Sequence, residues 1–139
     1  EKEGISVSAI FEQFGEDHFR LLEAAELRTT SLRLPDAVIA CGGGTPCFHG
    51  NMDFMLKHGI VIWLHPEIET VVERIWKAKQ KRPLIAKAET KEEVAEIISS
   101  IVEKRKPWYA QAHFTFTGTI IDLPRLKETI EAFNNLNPL

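Results

Sequence analysis

Apolar residues gather in two short, nearly unbroken runs, Ala37-Val38-Ile39-Ala40-Cys41 and Ile60-Val61-Ile62-Trp63-Leu64. Runs of this kind suit strands of a parallel sheet buried on both faces. A third β-type run is His113-Phe114-Thr115-Phe116-Thr117. Helical spacing fills the intervals. The clearest case opens at Thr90 with Glu93 three positions on, the spacing of a capping box. It continues through Val94, Ile97, Ile98, Ile101 and Val102 as one apolar stripe. Further helices are predicted at about 6–14, 16–30, 51–58 (ended by Gly59), from Pro66 to about Lys79, and from Asp122 to about Asn135. Strands alternating with helices of this length predict an α/β layer fold with a mostly parallel sheet. No repeat or low-complexity linker divides the chain, which reads as a single domain over 1–139.

Composition narrows the class. The 139 residues are 44% hydrophobic and 27% charged with a formal net charge of −3, the profile of one globular domain rather than a disordered chain. The longest apolar run is far short of the ~20 residues a bilayer span requires, so no membrane partner is expected. A weakly acidic balance argues against nucleic acid gripped through bulk charge. Cys41 and Cys47 are too few for a disulfide scaffold and lack companions for a zinc set, so they read as reduced thiols of a cytoplasmic protein with no metal site. The chain opens on Glu1-Lys2-Glu3-Gly4 rather than on Met, as if it began inside a longer protein.

Several residues carry candidate chemistry. Gly42-Gly43-Gly44 directly follows the first apolar run, where bare N–H groups can approach a ligand at the carboxyl end of a parallel strand. A tight turn without any ligand has the same sequence. Arg20 and Glu23, three apart, share one helix face. They form either surface charge or an oriented fork for a carboxylate or phosphate. Arg105 lies in Lys104-Arg105-Lys106-Pro107-Trp108-Tyr109, where a helix C-terminus attracts cations in any case. The basic stretch 77–87, broken by Pro83, is either a solvated loop or a lid.

Taken in order, Phe11 and Phe19-Arg20-x-x-Glu23, then Gly42-Gly43-Gly44, then Arg82-Pro83-Leu84, then Arg105-x-Pro107-x-Tyr109 resemble shikimate kinase along essentially the whole chain. The resemblance implies a P-loop-kinase α/β/α fold with a parallel sheet. It implies transfer of the γ-phosphoryl group of ATP, with Mg²⁺, to the 3-hydroxyl of shikimate on the route to chorismate and the aromatic amino acids. By the same resemblance, Arg20 and Arg105 grip the shikimate carboxylate. Gly42, Gly43 and Gly44 hold the ring hydroxyls, with Gly43 central. Phe11 and Phe19 shape the pocket, and Glu23 supports Arg20. Arg82, in a lid over about 75–90, reaches the transferring phosphate and is the catalytic residue of the set. Arg74 matches the position that stacks on adenine. Small-molecule recognition by a cytoplasmic monomer is expected.

The sequence also departs from the family. No Gly-x-x-x-x-Gly-Lys-Ser/Thr loop occurs in the 139 residues. The resemblance places it, with an Asp-x-Asp segment, in roughly 35–40 residues ahead of this chain, about one strand–loop–helix–strand unit. That unit would supply the strand between the first two apolar runs. Without it the 139-residue chain alone is expected to be unstable or to aggregate, and to lack ATPase or kinase activity. Ala40 stands where some members have a serine near the magnesium shell, and Thr117–Ile121 lacks an arginine that many place near adenine. A non-catalytic module retaining the acid pocket, and a related sugar-acid kinase, are the competing readings.

Overall fold

The structure, a computed structural model, describes Gly4, residues 6–78, Ile85, and residues 88–118 and 122–136. The first helix, α1 (Val7–Arg33), starts where the Ser6 side chain accepts a hydrogen bond from the Ala9 N–H at 3.2 Å. At Gly15 the backbone leaves the helical region (φ 81°, ψ 175°), a conformation open to glycine because it lacks a Cβ. The break separates two helical pieces at the predicted position. The second piece runs on to Arg33, three residues past the predicted Thr30, and stops before Pro35. A 3₁₀ turn at Thr45–Cys47 and α2 (Asn51–His58) follow, and α2 has the predicted bounds.

These elements, together with Arg105–Gln111, make one compact unit. The second unit comprises Ile60–Lys104 and Ala112–Leu139. It contains β1 (Ile62–His65), α3 (Ile68–Lys77), most of α4 (Lys91–Tyr109), β2 (Phe114–Thr117) and α5 (Leu123–Leu136). The strands pair in parallel, with Ile62 opposite Phe114 and His65 opposite Thr117. Phe133 of α5 packs edge-on against Phe114, ring centroids 5.5 Å apart. Val72, Ile75, Ile85, Ala88 and Val94 form an aliphatic core, with Ile97 and Ile98 of the α4 stripe packed against it. The capping box that opens α4 is formed: the Glu93 N–H donates to Thr90 Oγ1 at 3.1 Å, and Glu93 Oε2 accepts from the Thr90 N–H at 3.4 Å.

Two strand expectations differ from what is observed. Residues 37–41 carry no regular secondary structure and belong to no ladder, and Val38 is fully exposed. A strand exists only through a neighbour that takes up its backbone groups, and the described residues supply none for this run. Leu64, expected to be buried, is half exposed, because a two-stranded ladder cannot enclose both faces of its strands. Among the described residues no helix is long and apolar enough to cross a membrane.

Candidate functional site: a glycine turn between two guanidinium groups

The glycine triplet follows the run 37–41 and folds into the 3₁₀ turn, with the Thr45 N–H donating to Gly42 O at 2.9 Å and the Cys47 N–H to Gly44 O at 3.0 Å. Gly44 has an ordinary right-handed conformation (φ −85°, ψ −23°), and neither Gly42 nor Gly43 has a positive φ. The triplet is therefore required for room rather than for an unusual backbone angle. A Cβ on Gly44 would lie 2.7 Å from both Nη1 and Nη2 of Arg20. On Gly43 it would lie 3.1 Å from the Tyr109 hydroxyl and 3.3 Å from Arg105 Nη1. On Gly42 it would meet Glu23 Oε1 at 3.2 Å. The N–H groups of Gly43 and Gly44 donate to no acceptor among the described residues.

Arg20 is buried, on the second piece of α1. Its Nε and Nη2 donate to Glu16 Oε1 at 3.1 and 2.9 Å, and Nη1 donates to Glu23 Oε2 at 2.9 Å. The guanidinium lies over the rings of Phe48 at 4.6 Å and Phe19 at 5.2 Å. Burial works to lower its pKa, but the hydrogen bonds and charges of Glu23 and Glu16 outweigh burial and raise it, so the group stays cationic. Of its five N–H groups, those not engaged by the two glutamates remain for a ligand.

Arg105 and Tyr109 lie one turn apart near the end of α4, on either side of Pro107. The Tyr109 hydroxyl donates to Gly43 O at 2.5 Å. Burial pushes the phenol above its ordinary pKa, while a hydrogen bond and the charge of Arg105 pull the other way. Burial also pushes both thiols up. The Cys47 thiol is pulled back in part by Arg105 and Arg20, and neither cysteine is an activated nucleophile.

Sequence reasoning missed the web behind the turn. Thr45 Oγ1 donates to Glu23 Oε1 at 2.7 Å. Asn51, fully buried, donates through Nδ2 to Thr45 O at 2.9 Å and accepts from Arg28 Nη1 at 2.7 Å. Arg28 Nη2 also donates to His49 O at 2.9 Å, across a residue in the left-handed region (φ 52°). Arg28 lies eight residues after Arg20 in the same helix, and that spacing is the only trace of the web in the sequence.

The structure thus brings together Arg20, Glu23, Gly42, Gly43, Gly44 and Arg105 from the predicted set. Phe11 packs at a tilt against Phe19, ring centroids 4.7 Å apart, joining the Arg20 side. Arg74 lies on α3, in the other unit. Arg82 lies outside the described residues, as does much of the predicted lid over about 75–90. Of the lid's described members, Ile75, Ile85 and Ala88 are part of the aliphatic core. The arrangement offers two cationic forks and unpaired backbone donors from one narrow turn, a geometry suited to a small polyhydroxylated acid.

The family model described as "Shikimate kinase" matches residues 1–130. A shikimate kinase of Parabacteroides distasonis is 37% identical over 111 residues, covering 80% of this chain and 63% of the relative. A shikimate kinase of Bacteroides thetaiotaomicron is 33% identical over 134 residues, covering 91% of this chain and 75% of the relative. The crystal structure of shikimate kinase from the latter organism superposes with a TM-score of 0.74 at 30% identity, covering 99% of this chain and 78% of that one. The chain spans less than two thirds of the length of the first relatives it matches, 63% for Parabacteroides distasonis and 62% for Phocaeicola vulgatus.

Proposed function

The chain belongs to the shikimate kinase family, and from that premise we propose that its glycine turn is the acceptor pocket of an enzyme that phosphorylates the 3-hydroxyl of shikimate with ATP. In this reading Arg20 and Arg105 hold the shikimate carboxylate, and the N–H groups of Gly43 and Gly44 meet the ring hydroxyls. Phe11 and Phe19 form the apolar wall, and Glu23 keeps Arg20 in place. The observation that carries the reading is the close approach of both guanidinium groups to the same turn, 2.7 Å from a Gly44 Cβ position and 3.3 Å from a Gly43 one. Phosphoryl transfer asks a protein chiefly for positioning and charge neutralisation. A carboxylate clamped by two forks leaves one hydroxyl in a fixed place.

ATP and Mg²⁺ enter the proposal through family membership. The 139 residues contain no Gly-x-x-x-x-Gly-Lys-Ser/Thr loop. The described residues gather no group of three or more His, Cys, Asp or Glu that could hold a metal ion. The nucleotide and metal are therefore not assigned to these residues, apart from the family roles of Arg82 at the transferring phosphate and Arg74 at adenine. The proposal also places the protein in the cytoplasm, as a monomer acting on one small molecule.

Calorimetric titration of shikimate into the intact protein tests the reading. Wild type is expected to bind one equivalent. Arg105→Lys and Arg20→Lys are each expected to weaken binding about ten- to a hundredfold, because an ammonium cannot reproduce the bidentate fork. In an active preparation the Arg105→Lys effect is expected in KM for shikimate. Unchanged affinity in both variants would overturn the assignment.

A further inference from the structure

Tyr109 has no role in the proposed pocket so far, yet it touches both halves of it. Its hydroxyl donates to Gly43 O at 2.5 Å and converges with Arg105 Nη1 on the same spot, the two lying 3.1 and 3.3 Å from a Gly43 Cβ position. The peptide between Gly43 and Gly44 is trans, so holding the Gly43 carbonyl on one side turns the Gly44 N–H to the opposite side. Gly44 is the residue whose missing Cβ leaves room for the Arg20 guanidinium. The flanking carbonyls are held locally: Gly42 O by the Thr45 N–H and Gly44 O by the Cys47 N–H. The Gly43 carbonyl alone is held from a distant part of the chain, 66 residues away. Three successive glycines have wide conformational freedom, and an unheld peptide among them would sample many orientations.

We propose that Tyr109 is a positioning residue, its hydroxyl fixing the Gly43–Gly44 peptide plane and the Arg105 guanidinium together so that the backbone donors and the cationic fork face the same acid. The inference rests on the functional reading above, because it presumes that the turn receives shikimate. Tyr109 does not touch the ligand; it acts through Gly43 and Arg105. One hydroxyl therefore couples recognition of the hydroxyls to recognition of the carboxylate.

The test is Tyr109→Phe in the intact protein, which keeps the ring and removes only the hydroxyl. Shikimate affinity by calorimetry is expected to fall about three- to tenfold, the range for one hydrogen bond converted to a ratio. With ¹⁵N-glycine labelling, the Gly43 and Gly44 amide resonances of the unliganded protein are expected to shift and broaden, while those of Gly15 and Gly59 stay in place. A purely structural role would lower the melting temperature without moving these two amides selectively. Wild-type affinity in Tyr109→Phe, or unmoved Gly43 and Gly44 resonances, overturns the inference. Wild-type protein that does not bind shikimate overturns the functional reading, and the inference falls with it; the failures are distinguished because the first leaves wild type binding shikimate and the second does not.

Discussion

In the aliphatic core that includes Val94, five side chains without a single polar atom pack together, whereas around Gly44 charged, hydroxyl and amide groups are joined by hydrogen bonds. Apolar burial is non-directional and rewards filled volume. The polar web is directional, and every buried side-chain nitrogen and oxygen among the described residues finds a partner. The aliphatic core and the polar web thus use different chemistry in different units.

The comparison can be broken by substitutions chosen from each side. The largest effect is expected from Ile75→Ala, a deletion in the aliphatic core that should cost about 2–4 kcal/mol in urea unfolding. Shikimate affinity of the folded variant should stay within about twofold, since sites that share no partners act independently. A larger change in affinity would show that the division is false. Next comes Gly44→Ala, whose Cβ would enter the Arg20 fork at 2.7 Å. Affinity should fall about tenfold while stability changes by no more than about 1 kcal/mol. Gly42→Ala, with a looser 3.2 Å approach to Glu23, should lose less. Equal losses would mean that the turn, not the fork, matters.

The smallest effect is expected at the exposed Glu73–Lys91 pair. Lys91 holds the Glu73 carboxyl below its ordinary pKa through a hydrogen bond and its charge. That contribution is present above the ordinary carboxylate range and is lost as pH falls through the lower, folded value. Glu73→Gln should leave the unfolding midpoint unchanged at low pH and nearly so at pH 7, because solvent screens the pair. A clear loss of stability at neutral pH would show that surface charge helps to hold this unit.

Local elements were legible because their causes are local. The α2 bounds, the Thr90–Glu93 box and the break at Gly15 each depend on residues within one turn of each other. The run 37–41 misled because a strand's existence depends on a partner elsewhere in the chain, and apolarity does not report one. In the site, Arg20, Glu23, the glycine triplet and Arg105 stood out through their ordered resemblance to a family, and the structure gathers them. Arg28, Thr45 and Asn51 did not stand out, because the bonds that join them cross 23 residues in one case and 22 in another. A buried Asn in the first turn of a helix looks like any polar helix start. The need for three glycines was visible, but not its reason, which is the space occupied by side chains from other segments.

Glu16 and Glu23 both close on Arg20, and this has a consequence for how a ligand arrives. The two carboxylates offset two of the three guanidinium groups gathered around the turn, Arg20, Arg28 and Arg105, so the field reaching outward is weaker than the count of cations alone implies. An anion approaching the proposed pocket would be drawn in only weakly, and its rate of encounter should vary modestly with ionic strength. Discrimination would then fall chiefly on contact, when an acid of the right outline exchanges its hydration for the fork.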